Sequence, residues 1–146
     1  MSKTTFEEEI NRTGQLIYTN VGDSMMPLLR EKSDLLLIRK ATGPLKKYEV
    51  PLYKRDNGQY VLHRVLKVTK DGYVICGDNR YYREYGIQDR HIIGVLDAIV
   101  RDGTTISVQD KKYRFYVHLW CDFFYVRAAI LWIRDRWNRI RKGIRR

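Results

Sequence analysis

Between Asp34 and Val100 turn sequences cut the chain into short apolar runs, and no other feature limits the fold as strongly. The runs are DLLLIRK (34–40), YEVPLYKR (48–55), QYVLHRVLKVT (59–69), GYVICGD (72–78) and IIGVLDAIV (92–100), all rich in Val, Ile, Leu and Tyr. Such residues suit a pleated, half-buried surface. ATGPLKK, RDNG, KDG and RDGTT punctuate them with turn chemistry, and the DNG and KDG triplets are hairpin signals. Several short strands at close spacing predict a mainly β, coiled β-barrel body.

The two ends differ from this middle. Phe6 to Leu16 reads as a short helix, with Thr4 or Thr5 as N-cap and Glu7 to Glu9 at the positive end of its dipole. LIYTNV (16–21) then reads as a strand. After Asp110 the turn punctuation stops. Phe115, Leu119, Val126, Ile130, Ile133, Trp137, Ile140 and Ile144 recur three, four or seven apart. That spacing predicts one long amphipathic helix of about 30 residues, or about 45 Å. The expected division is a catalytic β domain over 1–110 and a basic amphipathic helix over 111–146.

Charge bears on what that helix meets. The formal net charge is +11, and the stretch 134–146 carries seven basic residues against one acid. A basic excess favours anionic partners. Its concentration in the tail, away from the strands, speaks against a nucleic-acid-binding barrel. His118, Asp122 and Arg127 interrupt FYVHLWCDFFYVRAAILWI. Asp and Arg at a span centre each cost about 2.5 to 3.5 kcal/mol, which cancels the gain from the aliphatic residues. The helix is expected to serve a membrane surface or a protein partner through residues 113–146, with a true span as the third alternative. The polar, acidic start MSKTTFEEEINRTG has no apolar core, so neither a signal nor an anchor is expected there. The expected location is the cytoplasmic face of a membrane. Cys76 and Cys121 lack metal-ligand spacing, and no cofactor or metal is expected.

Three residue types in the chain can be combined into acyl-transfer chemistry. A serine hydroxyl needs a base to take its proton, and the base needs a third group to hold its tautomer. Ser24 lies at a bend in VGDSMMPLLREKSDLLL, His63 lies in the strand run YVLHRVLKV, and Asp78 and Glu84 follow the next run. Such a trio alone is weak, because most chains contain one.

The order of blocks is more specific. GDSMMPLL (22–29), SDLLLIRK (33–40), VLHRVLKV (61–68), GDNR (77–80) and IIGVL (92–96) together resemble the signal peptidase I family over roughly residues 18–100. The resemblance implies a signal-peptidase-like barrel in which Ser24 is the nucleophile. Met25 and Pro27 would shape its bend and, with the basic Arg64, lie on the substrate side. His63 would be the general base, as in the endoplasmic-reticulum, archaeal and sporulation branch. Either Asp78, by motif, or Glu84, by offset, would orient it. Gly22 stands where some bacterial members carry an oxyanion-stabilising serine, so the oxyanion would rest on backbone N–H groups around Ser24 and Gly22. Self-cleaving repressor peptidases share the G-x-S-M block, but they use lysine as base.

The function expected from this resemblance is a serine endopeptidase that cleaves a leader-type or signal-type precursor peptide in extended form. The rival expectation is a catalytically inactive peptide-binding or docking module of the same fold.

Overall fold

The computed structural model describes residues 3–145. Helix α1 spans Phe6–Thr13 and is opened by a capping box. The Thr5 hydroxyl accepts from the Glu8 N–H at 3.2 Å, and the Glu8 carboxylate accepts from the Thr5 N–H at 2.9 Å. The strands are β1 (Gln15–Thr19), β2 (Leu35–Lys40), β3 (Pro51–Lys54), β4 (Tyr60–Leu62), β5 (Arg64–Thr69), β6 (Gly72–Cys76), β7 (Glu84–Ile87), β8 (Ile92–Arg101) and β9 (Thr104–Ser107). A short 3-10 turn, Asp89–His91, precedes β8. Helices α2 (Lys111–Cys121) and α3 (Phe124–Ile144) end the chain.

The protein is thus mainly β. One sheet runs β1-β2-β8-β3-β4, with β9 pairing the far half of β8, and it curls into a half-barrel that does not close. The second sheet is β5-β6-β7. Every strand pair is antiparallel, and a register shift bends β2 against β8 between Leu37 and Ile38. Such irregularities increase local twist and help a sheet to curl. Because the path is open, β1 and β4 each keep one unpaired edge.

Two expectations need correction. QYVLHRVLKVT is not one strand: it breaks at His63, where the chain leaves the half-barrel and enters the second sheet. A chain that changes sheets must bend, and His63 sits at that corner. Nor is the tail one helix. It breaks at Asp122 and Phe123, where the Asp122 carboxylate accepts from the Tyr48 hydroxyl and pairs with His118 Nδ1 at 3.0 Å.

Tyr113, Val117 and Cys121 of α2 lie in the main core beside Leu29, Leu36, Ile38, Val50 and Leu52. Helix α2 is therefore part of the body. On α3 only Arg127 and Leu131 are buried. No helix among the described residues is long and apolar enough to cross a membrane.

Candidate active site

Ser24 stands in the turn that follows β1. Asn20 pins that turn: its side-chain amide donates to the carbonyls of Gly22 and Arg30, each at 3.3 Å. Gly22 has φ of +101°, a conformation that strains any residue with a Cβ. Two residues after Ser24 the chain turns inward, with Leu28 and Leu29 in the core and Met25 buried just before them. Ser24 is left half-buried between exposed Asp23 and buried Met25.

The loop after β6 grips this turn from the other side. The Asn79 N–H donates to the Ser24 carbonyl at 2.9 Å, and the Asn79 amide donates to the Asp23 carbonyl at 2.9 Å. Arg80 Nη2 donates to the Asp23 carboxylate at 2.7 Å. The Asp78 N–H points at the Met25 sulfur, 3.4 Å away. Gly77 is the pivot. A Cβ there would lie 2.6 Å from the Ser24 carbonyl oxygen and 3.1 Å from His63 Cδ2. The serine backbone and the histidine ring therefore close on one glycine from two sides, and no side chain would fit.

Ser24 and His63 line one cavity of about 520 Å³. Its long walls come from the free edges of the half-barrel: Tyr18 to Val21 at the end of β1, and Gln59 to Leu62 around β4. Phe6 bridges the two edges, 5.3 Å from the Tyr18 ring and 4.9 Å from the Tyr60 ring. Of the expected substrate-side residues, Met25 lines this cavity while nearly buried, and Pro27 is exposed outside its lining. Arg64 is fully buried and cannot touch a substrate, which corrects that expectation.

The acids expected near His63 are engaged elsewhere. Both Asp78 oxygens face the Arg64 guanidinium, Nε to Oδ1 and Nη2 to Oδ2, each at 2.8 Å. Tyr116 adds a hydroxyl donor to Oδ2 at 2.9 Å. A buried cation needs such a partner, because an unpaired charge in the core is severely penalised. Glu84 accepts from Arg55 Nε at 3.0 Å. Neither carboxylate is hydrogen-bonded to His63. The group that meets His63 Nδ1 is the hydroxyl of Tyr53, at 3.4 Å. Tyr53 is fully buried on β3, and burial together with the Glu84 carboxylate beside it raises its pKa, holding the phenol protonated. Burial, and then the positive charge of Arg55, lowers the His63 pKa from 6.5 to about 4. The imidazole is thus neutral at ordinary pH and able to accept a proton.

The other two described histidines have their own partners elsewhere. His91 Nδ1 accepts from the Gln88 N–H at 2.9 Å, and His118 pairs with Asp122. Neither lines the Ser24 cavity.

Sequence reasoning missed the residues that hold the site together. Arg127 of α3 is buried and donates through Nη2 to the carbonyls of Gly77 at 2.7 Å and Arg80 at 2.9 Å. Trp120 Nε1 donates to the Asp78 carbonyl at 2.7 Å. Arg134 Nη1 donates to the Asn79 side chain at 2.5 Å. The helices thus clamp the loop that positions Ser24. Nothing in the spacing of these residues marked them. The pairing of Arg64 with Asp78 was hidden as well: plain counting back from the KDG turn sets Val65 opposite Cys76, and only a register shift between Val65 and Lys67 brings Arg64 there, two residues before Asp78.

The chain matches no protein-family model, and no curated protein matches it.

Proposed function

We propose that the protein is a serine endopeptidase of the signal-peptidase type, acting on an extended precursor segment. The observation that carries this reading is the single cavity lined by both Ser24 and a neutral His63, with the Ser24 backbone and the His63 ring packed on either side of Gly77. In the proposed reaction Ser24 Oγ attacks the scissile carbonyl carbon while His63 Nε2 takes the hydroxyl proton. Collapse of the tetrahedral intermediate breaks the C–N bond, and His63 gives the proton to the leaving amine. A water molecule, deprotonated by the same imidazole, then releases the acyl group and restores Ser24. Tyr53 acts as a positioning residue: its hydroxyl oxygen accepts a hydrogen bond from Nδ1–H, which leaves the lone pair on Nε2. His63 Cδ2, the neighbour of Nε2, is the atom packed against Gly77. The Ser24 N–H has no hydrogen-bond partner among the described residues and can serve the oxyanion.

The free edges of β1 and β4 supply unpaired backbone groups on both sides of the cavity. An extended peptide placed between them would gain main-chain hydrogen bonds and take its specificity from alternate side chains. By the resemblance stated above, small residues would be preferred at the cleavage point.

One observation favours a second reading, a peptide-binding module that does not cleave: among the described residues no carboxylate is bonded to His63. Incubation with a library of extended peptides, read by mass spectrometry, separates the two. New termini formed by the wild type and not by Ser24→Ala support the peptidase. Binding of peptides with no new termini in either protein supports the module.

A further inference from the structure

Val126, Ile130, Ile133, Trp137, Ile140 and Ile144 on α3 are all between 50 % and 79 % exposed. Their alternating four-and-three spacing puts them on one face of the helix. The buried residues of α3, Arg127 and Leu131, lie about 120° around the helix from the middle of the stripe, against the body. With its side chains half or more exposed, the apolar stripe points away from the protein. Phe115, Leu119 and Phe123 add exposed apolar surface on α2 and at the break between the helices. A soluble chain seldom leaves so many large side chains in water without a partner for them.

The flanks of the stripe say what that partner is. Arg141 borders it on one side and Arg136 on the other, while Arg134 is turned to the body, bonded to Asn79 and Asp135. The one acid of α3, Asp135, lies four residues after Leu131 and so on the body side. If a second copy packed its stripe against this one, arginines beside the seam would face arginines across it, which opposes pairing. A surface of anionic headgroups accepts the same arginines. Trp132 and Trp137 are half or more exposed, and their rings suit the boundary between headgroups and acyl chains. The helix is not apolar enough to span.

We infer that the α3 stripe seats the protein in the plane of an anionic lipid bilayer, its apolar side chains at the acyl boundary and its arginines among the phosphates. This inference stands apart from the peptidase reading, since none of the stripe residues lines the Ser24 cavity.

Flotation of the full chain with vesicles tests it. With phosphatidylcholine vesicles containing about a third phosphatidylglycerol the wild type should float, and added salt should weaken binding. With phosphatidylcholine alone it should bind far less. Each basic residue near an anionic surface is worth about fivefold in binding, so the double variant R136E/R141E should lose at least about 25-fold. The double variant I133D/I140D should lose binding by at least about tenfold. Both change exposed positions and should melt with the wild type, while Ser24→Ala should float like it. The inference fails if the wild type stays behind with both kinds of vesicle, or if both double variants float undiminished. It also fails if the wild type sediments as a dimer that I133D/I140D converts to monomer, which would give the stripe to a second copy.

Discussion

Arg127 on the C-terminal helix holds the carbonyl of Gly77, 2.7 Å away, and Gly77 is the residue on which Ser24 and His63 converge. Arg127 is buried and has no carboxylate among its hydrogen-bond partners within the described residues. Backbone carbonyls and the Cys76 sulfur receive its donors instead. Arg127→Met keeps much of the volume but leaves the Gly77 and Arg80 carbonyls with one partner fewer. It should loosen the 77–80 loop, seen as faster amide hydrogen exchange there, and lower kcat more than it raises KM.

Ser24→Ala should abolish cleavage and leave stability within about 0.5 kcal/mol, because the side chain is half-buried and its loss opens no core cavity. Peptide turnover and thermal melting, measured on the same sample, check both parts.

Tyr53→Phe removes one hydroxyl and keeps the ring. If Tyr53 positions the imidazole, kcat should fall by about tenfold or more with KM nearly unchanged. A merely structural phenol would leave kcat alone and show only a modest loss in denaturant midpoint.

Asp78→Asn leaves Arg64 charged and fully buried without its anion. Breaking one side of such a pair costs about 3–5 kcal/mol. Urea unfolding should show that loss even when no substrate is present. An acid that served only His63 would affect turnover and leave the midpoint in place.

The pH dependence follows from His63. Its folded pKa, about 4, lies below the ordinary 6.5, so the unfolded chain binds the proton more readily between those values. Stability from this group is complete above about pH 6.5 and declines as pH falls toward 4. The acid limb of kcat/KM should lie near pH 4 as well. Arg55→Gln removes a charge that lowers this pKa and frees the Glu84 carboxylate, which raises it. The acid limb should then move to higher pH, as a pH–rate series would record.

Much of the β body was legible because alternation and turn chemistry agreed. DNG joins β3 to β4 and KDG joins β5 to β6, as those triplets suggest. The strands β7, EYGI, and β9, TTIS, escaped notice because four polar or mixed residues carry little periodic signal. The break at His63 was hidden for a different reason: YVLHRVLKV holds no Gly, Pro or other turn residue, and only the change of sheets divides it. The break at Asp122 likewise has no Gly or Pro to announce it, since the carboxylate is drawn to Tyr48 and His118 by tertiary contact.

The site was legible in part for a similar reason. Ser24, His63 and the 77–80 loop stand together, and GDSM and GDN mark the two turns that pack against each other there. Tyr53 could not be found from PLYKR, because its hydroxyl reaches His63 only after β3 and β4 pair and set Tyr53 opposite Val61. Arg127 was read only as a charge that opposes a membrane span, and no helix of the described residues is apolar enough to cross one. Its charge has a use only once the loop carbonyls are brought to it.

The unclosed sheet has one more consequence. A bare strand edge recruits stray chains and seeds aggregation. Here the two edges border the same cavity, and Phe6 spans them with an aromatic contact on each side. Visitors are limited to what can enter between those walls. Removing Phe6 should therefore cost the protein its shelf life in concentrated solution as well as the shape of its cavity.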